Sequence, residues 1–294
     1  MIRLSREDRI LNAFIYAVLG IALLVVAYPL YFIVIASVSD PAAVNTGTVW
    51  LWPRGINLEG YSRIFADRDL LAGYRNTVLY TVAGTLLNLA LTLSSAYALS
   101  RKDLAGRNVI MGLLAFTMFF SGGLIPLYLL VNNMGLYNTF LVMILPNAVS
   151  VWNIVIARTF FQSNIPDELH DAAVIDGCND FRFFLAIAIP LSTALTAVLT
   201  VFYAVGHWNS YFNGLIYLRS KERFPLQLIL RGILLQNQFQ TELQTEDVYA
   251  AKAQMLAESI KYGVIIVASV PVLILYPFAQ KYFVKGVMVG AIKG

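Results

Sequence analysis

Long stretches without any charged residue constrain this chain more than any other feature. No Asp, Glu, Lys or Arg occurs in residues 10–39, 76–100, 109–157, 183–218 or 262–280. A helix that crosses a bilayer needs about 20 mostly apolar residues, and backbone in hydrocarbon must satisfy its own hydrogen bonds. Composition agrees, because 59% of the residues are hydrophobic and 13% are charged, whereas soluble domains have about 25% charged residues. The sequence therefore predicts an all-α membrane protein.

The charge-free stretches predict six spans within a single transmembrane domain that occupies residues 1–294. The stretch 109–157 is too long for one helix and breaks at the polar segment 132–138. The spans are expected at about residues 12–36, 77–99, 109–131, 139–161, 184–206 and 262–283. A cleaved signal peptide is an alternative for the first span, but its apolar stretch is longer than a signal core. A retained signal-anchor helix fits better.

The distribution of Lys and Arg predicts the orientation of these spans. Arg101, Lys102 and Arg107 lie between the second and third spans, and no basic residue lies between the third and fourth. Basic residues in short loops mark the cytoplasmic side. Both termini and the loop 162–183 are therefore expected in the cytoplasm, and the long loops 37–76 and 207–261 outside.

The predicted spans lack the residues that a self-powered transporter uses. No charged residue lies deep in a span, whereas ion-coupled carriers place ionisable or unwound sites near the membrane midplane. The chain has no Gly-x-x-x-x-Gly-Lys phosphate loop and no protease or metal motif, so the motif evidence for ATP binding or catalysis is missing. We predict no catalytic site and no bound metal. Any transport must draw its energy from a partner.

Two remaining compositional features exclude further classes. Cys178 is the sole cysteine, so no internal disulfide can form. The net charge of +4 comes from basic residues that follow membrane topology and form no nucleic-acid motif. We therefore expect no nucleic-acid partner.

The loop between the fourth and fifth predicted spans carries a fixed pattern of small and acidic residues. Asp-Ala-Ala at 171–173 is followed after three residues by Gly177, and after nine more by Ile-Ala-Ile-Pro at 187–190. The pattern resembles the EAA loop of binding-protein-dependent ABC import permeases: Glu-Ala-Ala, three residues, Gly, nine residues, Ile-x-Leu-Pro. Asp171 replaces the usual Glu and Ile189 the usual Leu. In that family the loop is the socket through which the membrane subunit engages a cytoplasmic ATPase.

Other segments resemble one branch of that family, the sugar permeases. This branch includes the smaller subunit of the maltose permease and the lipoprotein-associated polysaccharide permeases. The segments are residues 120–126, 152–153, 208–213 and 281–286, and the resemblance covers about residues 12–294. It implies the ABC type I importer permease fold, located in the bacterial inner membrane and in contact with membrane lipid. It also implies a heterodimer with a second homologous permease, two ATPase subunits, an extracytoplasmic solute-binding protein and an oligosaccharide substrate. ATP and Mg would belong to the ATPase subunits, with no cofactor on this chain.

The resemblance assigns ATPase coupling to residues of the 162–183 loop. They are Glu168, Asp171, Ala172, Ala173, Asp176 and Gly177. Helix signals are compatible with it, since Asn164 is a candidate cap, Pro166 suits a first turn and Gly177 suits a left-handed helix end. Asn179 or Asp180 is expected to cap a second helix that runs into the fifth span and that Pro190 could kink. A short helix on the membrane surface can seat in a partner's groove, but an ordinary helix between two spans would carry the same signals.

The end of the chain resembles the tail of the maltose subunit, which inserts between the two ATPase subunits. The resemblance assigns ATPase contacts to Gly290, Lys293 and Gly294. A frayed basic terminus is the alternative.

Two groups of polar and aromatic residues are candidates for a substrate path. Asn147, Ser150 and Asn153 recur every three residues and are expected to share a helical face, which could line a water-filled path or bond to another helix. The second group consists of Trp208, Asn209, Tyr211 and Asn213. Sugars are bound by aromatic faces and amides, although aromatic residues also gather at any membrane interface.

The sequence is thus interpreted as the permease subunit of an ATP-driven oligosaccharide importer. Basic residues of the second outer loop suit an acidic protein surface or an anionic glycan such as an alginate fragment; they are Arg219, Lys221, Arg223 and Arg231. Two rival classes stay open at this point. One is an ion-coupled secondary carrier, and the other is a non-transporting scaffold or membrane-embedded enzyme.

Overall fold

Helices make up almost all of the regular structure. The computed structural model describes residues 5–242, 260–277 and 280. Within those residues no strand forms, and the β pairing found there is a single isolated bridge between Ser39 and Ile56. The predicted all-α class is confirmed for the part of the chain that is described.

Fourteen α-helices are numbered here in chain order within the described residues. They are α1 Arg6–Ser37, α2 Pro41–Asn45, α3 Glu59–Ala66, α4 Arg68–Ser100, α5 Arg107–Phe119, α6 Leu124–Asn133, α7 Val151–Asn164, α8 Asp167–Ile175, α9 Asp180–Phe183, α10 Ile189–Leu191, α11 Thr193–Trp208, α12 Tyr211–Tyr217, α13 Leu226–Glu242 and α14 Ile260–Pro277. A π-helical turn, Phe184–Ala188, joins α9 to α10. Two 3-10 turns lie at Leu141–Met143 and Lys221–Arg223.

The described chain divides into two compact units. One takes in the described residues up to Arg68 and those from Leu230 to Val270, and the other takes in Asp69–Ile229 and the described residues from Pro271 onward. In the first unit, α1 begins with a capping box in which Ser5 and Asp8 bond each other's backbone N–H groups at 3.1 and 2.9 Å. Its side chains are exposed along nearly the whole helix, as expected of an apolar helix that faces lipid.

The second unit contains two apolar cores. The larger core joins α4, α7 and α11 to the α8–α10 region, and its most buried members include Ala96, Ala157, Phe161, Phe183 and Leu199. The smaller core joins α4 to the 3-10 turn at Leu141–Met143 and to α12, through residues such as Tyr80, Met143 and Tyr217. The larger core lies directly beneath the 162–183 loop and fixes its position.

The predicted count of six spans is not confirmed. Among the described residues α1, α4 and α14 are long and apolar enough to cross a membrane. Two bent pairs could add a span each: α5 with α6, at 113°, and α9–α10 with α11, at 82°. The first bend contains Gly123, whose φ of 87° only glycine adopts readily. Gly122 and Gly123 thus interrupt the third predicted span at the start of α6.

The fourth predicted span differs most from the structure. Residues 139–161 are helical only from Val151 apart from the short 3-10 turn, so Asn147 and Ser150 precede the helix. The expectation that Asn147, Ser150 and Asn153 share a helical face is therefore wrong. The physical reason is that Ser150 acts as the N-cap of α7, its hydroxyl accepting from the Asn153 backbone N–H at 3.4 Å. A capping serine and a path-lining serine have the same sequence signal.

Candidate functional site

The α8–α9 hairpin, residues 167–183, is a helix and a short second turn joined by a defined reversal. Pro166 precedes α8 in an extended conformation, and Asp167 and Glu168 lie in the first turn, where the helix dipole favours acids. Gly177 has φ 76°. Its N–H bonds the Val174 carbonyl and the next N–H bonds the Ala173 carbonyl, both at 2.9 Å. This is a Schellman motif, so the predicted left-handed helix end at Gly177 is confirmed.

The second turn starts at Asn179, the first of the two predicted cap candidates. The Asn179 side chain accepts from the Arg182 backbone N–H at 2.8 Å and opens α9. No side chain caps the start of α8, where Pro166 rather than Asn164 occupies the N-cap position. The amide of Asn164 instead bonds back to the Phe160 carbonyl in α7. The expected cap at Asn164 is therefore wrong, because this side chain is used inside the preceding helix.

The inner face of the hairpin packs on the larger core. Ala173 and Cys178 contact it, and Phe183 is buried within it. The ring of Tyr97 on α4 stacks on Phe183 at 6.2 Å and meets Phe161 of α7 edge-on at 5.8 Å. The short side chain of Ala173 lets the helix backbone approach this surface closely.

A buried histidine links the hairpin to the loop after α4. His170 lies against the Phe183 ring with centroids 5.0 Å apart. Its Nδ1 is 3.0 Å from Arg101 Nη2, and its Nε2 is 2.8 Å from Asp180 Oδ1. Arginine can only donate, so Nδ1 must accept and Nε2 must carry the proton. The network thus holds His170 as the neutral Nε2–H tautomer.

An ion pair reinforces this link at the start of α8. Lys102 Nζ lies 2.7 Å from Asp167 Oδ2, and this hydrogen bond lowers the pKa of Asp167. Arg101 Nε lies 3.1 Å from Asp103 Oδ1. Burial raises the pKa of Asp103, but hydrogen bonds from its own backbone and from Arg101 outweigh this and lower it overall. Both carboxylates therefore stay charged near neutral pH.

The outer face of the hairpin is a mixed apolar and acidic surface. Glu168, Asp171, Ala172 and Ile175 follow helical spacing and are all exposed. Ile175 is 86% exposed and Phe181 in α9 is 71% exposed. Asp176 and Gly177 are exposed as well, whereas Ala173 faces the core. Large apolar side chains that are exposed to solvent beside carboxylates are suited to binding a partner protein.

The substrate-path candidates do not form one group. Asn147 contributes its carbonyl, which accepts from Asn88 Nδ2 at 2.6 Å, and Asn88 Oδ1 accepts from His207 Nε2 at 2.7 Å. Asn88 is fully buried, and Asn153 is buried too. This chain of bonds joins α4, the segment before α7 and α11. Asn88 and His207 therefore connect these elements through their side chains, whereas Asn147 takes part through its backbone carbonyl.

The aromatic and amide candidates after α11 occupy different environments. Trp208 is 5% exposed and meets the Tyr74 ring edge-on at 5.7 Å. Asn209 and Tyr211 are exposed, and Asn213 is half-buried. The amide of Asn209 bonds the Val205 carbonyl of its own helix at 2.9 Å. A sugar-contacting role stays a prediction for these residues and for Asn147, Ser150 and Asn153.

Sequence reasoning overlooks the residues that hold the hairpin in place. It assigns Arg101 and Lys102 to topology and gives His170 no role. The available signal is the spacing of His170 and Ala173, which places them on the opposite helix face from Asp171 and Ala172. The tail residues Gly290, Lys293 and Gly294 lie outside the described residues. No group of His, Cys, Asp and Glu suited to a metal ion occurs in the described ranges.

Comparisons with known proteins give consistent relatives, although no protein-family model matches the chain. It is 37% identical to the polygalacturonan/rhamnogalacturonan transport system permease protein YtcP of Bacillus subtilis, over 98% of this chain and 100% of the relative. Protein LplC of the same organism is 36% identical over 90% of this chain and 89% of its own length. A solved bacterial ABC transporter involved in the import of the acidic polysaccharide alginate matches with a TM-score of 0.87 at 33% identity, covering 96% of this chain and 100% of that one.

Proposed function

The chain belongs to the family of ABC-transporter permeases that import sugars, and on this premise we propose that its α8–α9 hairpin engages an ATPase subunit. The observation that carries the proposal is the division of α8 into two faces. Asp171 and Ile175 are exposed, while His170 and Ala173 face the packed interior. A helix presented on a fixed base is the form that helix-in-groove binding uses.

The hairpin is attached firmly enough to transmit movement into the helices. Lys102 pairs with Asp167, and Arg101 bonds His170. These contacts connect α8 to the end of α4, while Ala173 packs on the core shared by α4, α7 and α11. Close-packed interiors transmit displacement rather than absorb it. ATP-driven closure of the partners would therefore move these helices and alternate access between the two sides of the membrane.

The proposed assembly follows the family. This chain pairs with a second permease, two ATPase subunits that carry ATP and Mg, and an extracytoplasmic binding protein. The chain has no P-loop motif of its own. We place it in the bacterial inner membrane with both termini in the cytoplasm, because Arg101, Lys102 and Arg107 lie beside the hairpin. ATPase contacts by Gly290, Lys293 and Gly294 remain part of the proposal.

We further propose that the imported oligosaccharide is acidic. One relative is named for polygalacturonan/rhamnogalacturonan transport, and the solved transporter is involved in the import of the acidic polysaccharide alginate. In this chain Arg219, Lys221 and Arg223 lie on one short segment, and Lys221 is among its exposed residues. The Asn76 amide bonds the Glu222 and Phe224 carbonyls at 2.7 and 3.1 Å, which fixes this segment against α4. A fixed group of cations raises the local concentration of an anionic ligand.

Cysteine crosslinking tests the docking role. In a Cys178→Ser background, Ala172→Cys on the exposed face should crosslink to the ATPase subunit of the assembled importer. Ala90→Cys is the matched control, since Ala90 is also exposed but lies within the α4 span. Absence of a crosslink from the Ala172→Cys variant, or equal crosslinking at both positions, would contradict the proposal.

Reconstitution tests both the energy source and the substrate. Vesicles with the complete importer should accumulate uronic-acid oligosaccharides on ATP addition, and vesicles with this chain alone should accumulate none. Uptake by this chain alone would support the ion-coupled carrier instead. Equal uptake of neutral oligosaccharides of the same length would contradict the acidic substrate while leaving the docking role intact.

A further inference from the structure

A cleft of about 290 Å³ opens at the start of the α8–α9 hairpin, where Pro166 and Asp167 line it. Arg101, Lys102 and Arg107 line it, together with the single carboxylate of Asp167. The cleft is therefore basic, even when Asp103, which pairs with Arg101, is counted against it. Its aromatic floor is made by Tyr97 and Phe161.

The cations of this cleft keep donors beyond those already used in the described residues. Arg101 uses Nε toward Asp103 and Nη2 toward His170. Arg107 donates from Nη1 to the Arg101 carbonyl at 3.0 Å. An arginine has five N–H groups and a lysine three. Several N–H groups thus remain for a ligand, and a guanidinium matches the geometry of a phosphate group.

Tyr97 supplies an independent observation. The residue lines the cleft and is 8% exposed, while its hydroxyl oxygen is itself buried and has no hydrogen-bond partner among the described residues. Packing on Phe161 and Phe183 explains why the Tyr97 ring is buried, but it gives the hydroxyl no hydrogen-bond partner. A buried polar group without a partner costs free energy, so such groups are rare and point to a missing ligand or water.

We propose that this cleft binds a phosphate-bearing anion. The anion would be held by Arg107 and Lys102. The Tyr97 hydroxyl, which is buried in this structure, would become a further donor after a shift of its ring toward the anion. Basic pockets between helices at the cytoplasmic face bind anionic lipid headgroups, and free phosphate offers the same chemistry. Because Asp167 is both the cleft's carboxylate and the first residue of α8, an occupant would compete for Lys102 and thereby link the membrane surface to the hairpin.

The test measures anion binding by the complete importer, so its result is independent of transport. The importer is placed in nanodiscs of phosphatidylcholine with or without phosphatidylglycerol, and retained lipid is counted by native mass spectrometry. A second arm titrates inorganic phosphate in detergent and follows thermal unfolding. Retention of phosphatidylglycerol identifies the lipid source, and phosphate-dependent stabilisation without lipid retention identifies the free anion.

Three variants make the result specific. Tyr97→Phe removes only the hydroxyl, which a purely structural role predicts to be harmless, and Lys102→Gln alters a side chain that is 76% exposed. Arg9→Gln, on an exposed basic residue of α1, controls for general attraction to anionic lipid. Both cleft variants should weaken binding at least about tenfold, the factor for one lost charge-assisted hydrogen bond. The proposal is overturned if the wild-type importer binds no anion or if both cleft variants bind as wild type does. It is also overturned if Arg9→Gln weakens binding as much as the cleft variants do.

Discussion

His170 Nε2 lies 2.8 Å from Asp180 Oδ1, which joins the two arms of the hairpin across the Gly177 reversal. The same imidazole accepts from Arg101 through Nδ1 at 3.0 Å. One neutral side chain thus fixes the hairpin both internally and against the end of α4. This relationship makes His170 a positioning residue for the proposed docking surface on the outer face of the hairpin rather than part of that surface.

Replacing His170 separates its hydrogen bonds from its volume. His170→Leu removes both bonds and should destabilise the importer by about 1 kcal/mol per lost bond. His170→Gln offers an acceptor to Arg101 and a donor to Asp180, so it should restore much of the loss. Thermal unfolding and substrate-stimulated ATP hydrolysis are measured together. Equal behaviour of the two variants would show that the bonds do not matter.

Gly177 should be required for its backbone conformation alone. A Cβ at Gly177 meets nothing within 4 Å, yet its φ is 76°. Gly177→Ala should therefore cost about 1–2 kcal/mol of folding free energy and reduce substrate-stimulated ATP hydrolysis. Gly112 in α5 also has open space around a Cβ but no positive φ. Gly112→Ala should be neutral or stabilising by up to about 1 kcal/mol, and the opposite ranking would contradict the argument.

Gly84 should be required for space. A Cβ at this position would collide with Nε2 of His207, which is the atom that bonds Asn88. Gly84→Ala is expected to displace the imidazole and to cost about 1–3 kcal/mol, as overpacking does. Gly206→Ala, one residue before His207 with no atom within 4 Å of its Cβ, is the control. Unfolding temperatures of the two variants decide between local overpacking and a general effect of added volume.

The Lys102–Asp167 pair predicts a pH dependence confined to acid. The hydrogen bond from Lys102 lowers the pKa of Asp167 below its ordinary value of 3.8. A carboxyl group with a lower pKa in the folded state stabilises the fold above its unfolded pKa, and that stability is lost as pH falls through the folded pKa. The contribution of the Lys102–Asp167 pair to the free energy of unfolding should therefore be constant between neutrality and about pH 5.

Melting curves of wild type and Asp167→Asn below that range test this assignment. Asp167→Asn should flatten the acid limb of the unfolding-temperature profile and leave its neutral part parallel to wild type. A difference between the two proteins that stays constant down to the most acidic sample would show that the ion pair contributes nothing through titration.

Asn138 should hold the basic segment 219–223 in place. It has φ 56°, and its Oδ1 accepts from the backbone N–H groups of Arg219 and Ser220 at 3.0 and 3.1 Å. Asn138→Gly keeps this backbone conformation accessible but removes the bonds, so it should cost about 1–2 kcal/mol. Asn138→Asp keeps the acceptor and should lose less. Proteolysis of the 218–226 segment should rise in the first variant only.

Much of this protein could be predicted from its sequence, because the relevant physics is local. Charge-free stretches require helices in a bilayer, and the signals at Gly177 and Asn179 specify a helix end and a helix start from residue type alone. The spacing around Asp171 indicated the loop on which the docking proposal rests only through its resemblance to the EAA loop of import permeases.

Tertiary structure decided what a side chain does once it can reach more than one partner. Ser150 had the same sequence signal as a path-lining residue and proved to be a helix cap. His170 gained its role only because folding brings Arg101 within 3.0 Å of it across 69 residues. Sequence patterns report nearest neighbours along one helix, whereas contacts between helices depend on packing, and these contacts set the position of the hairpin.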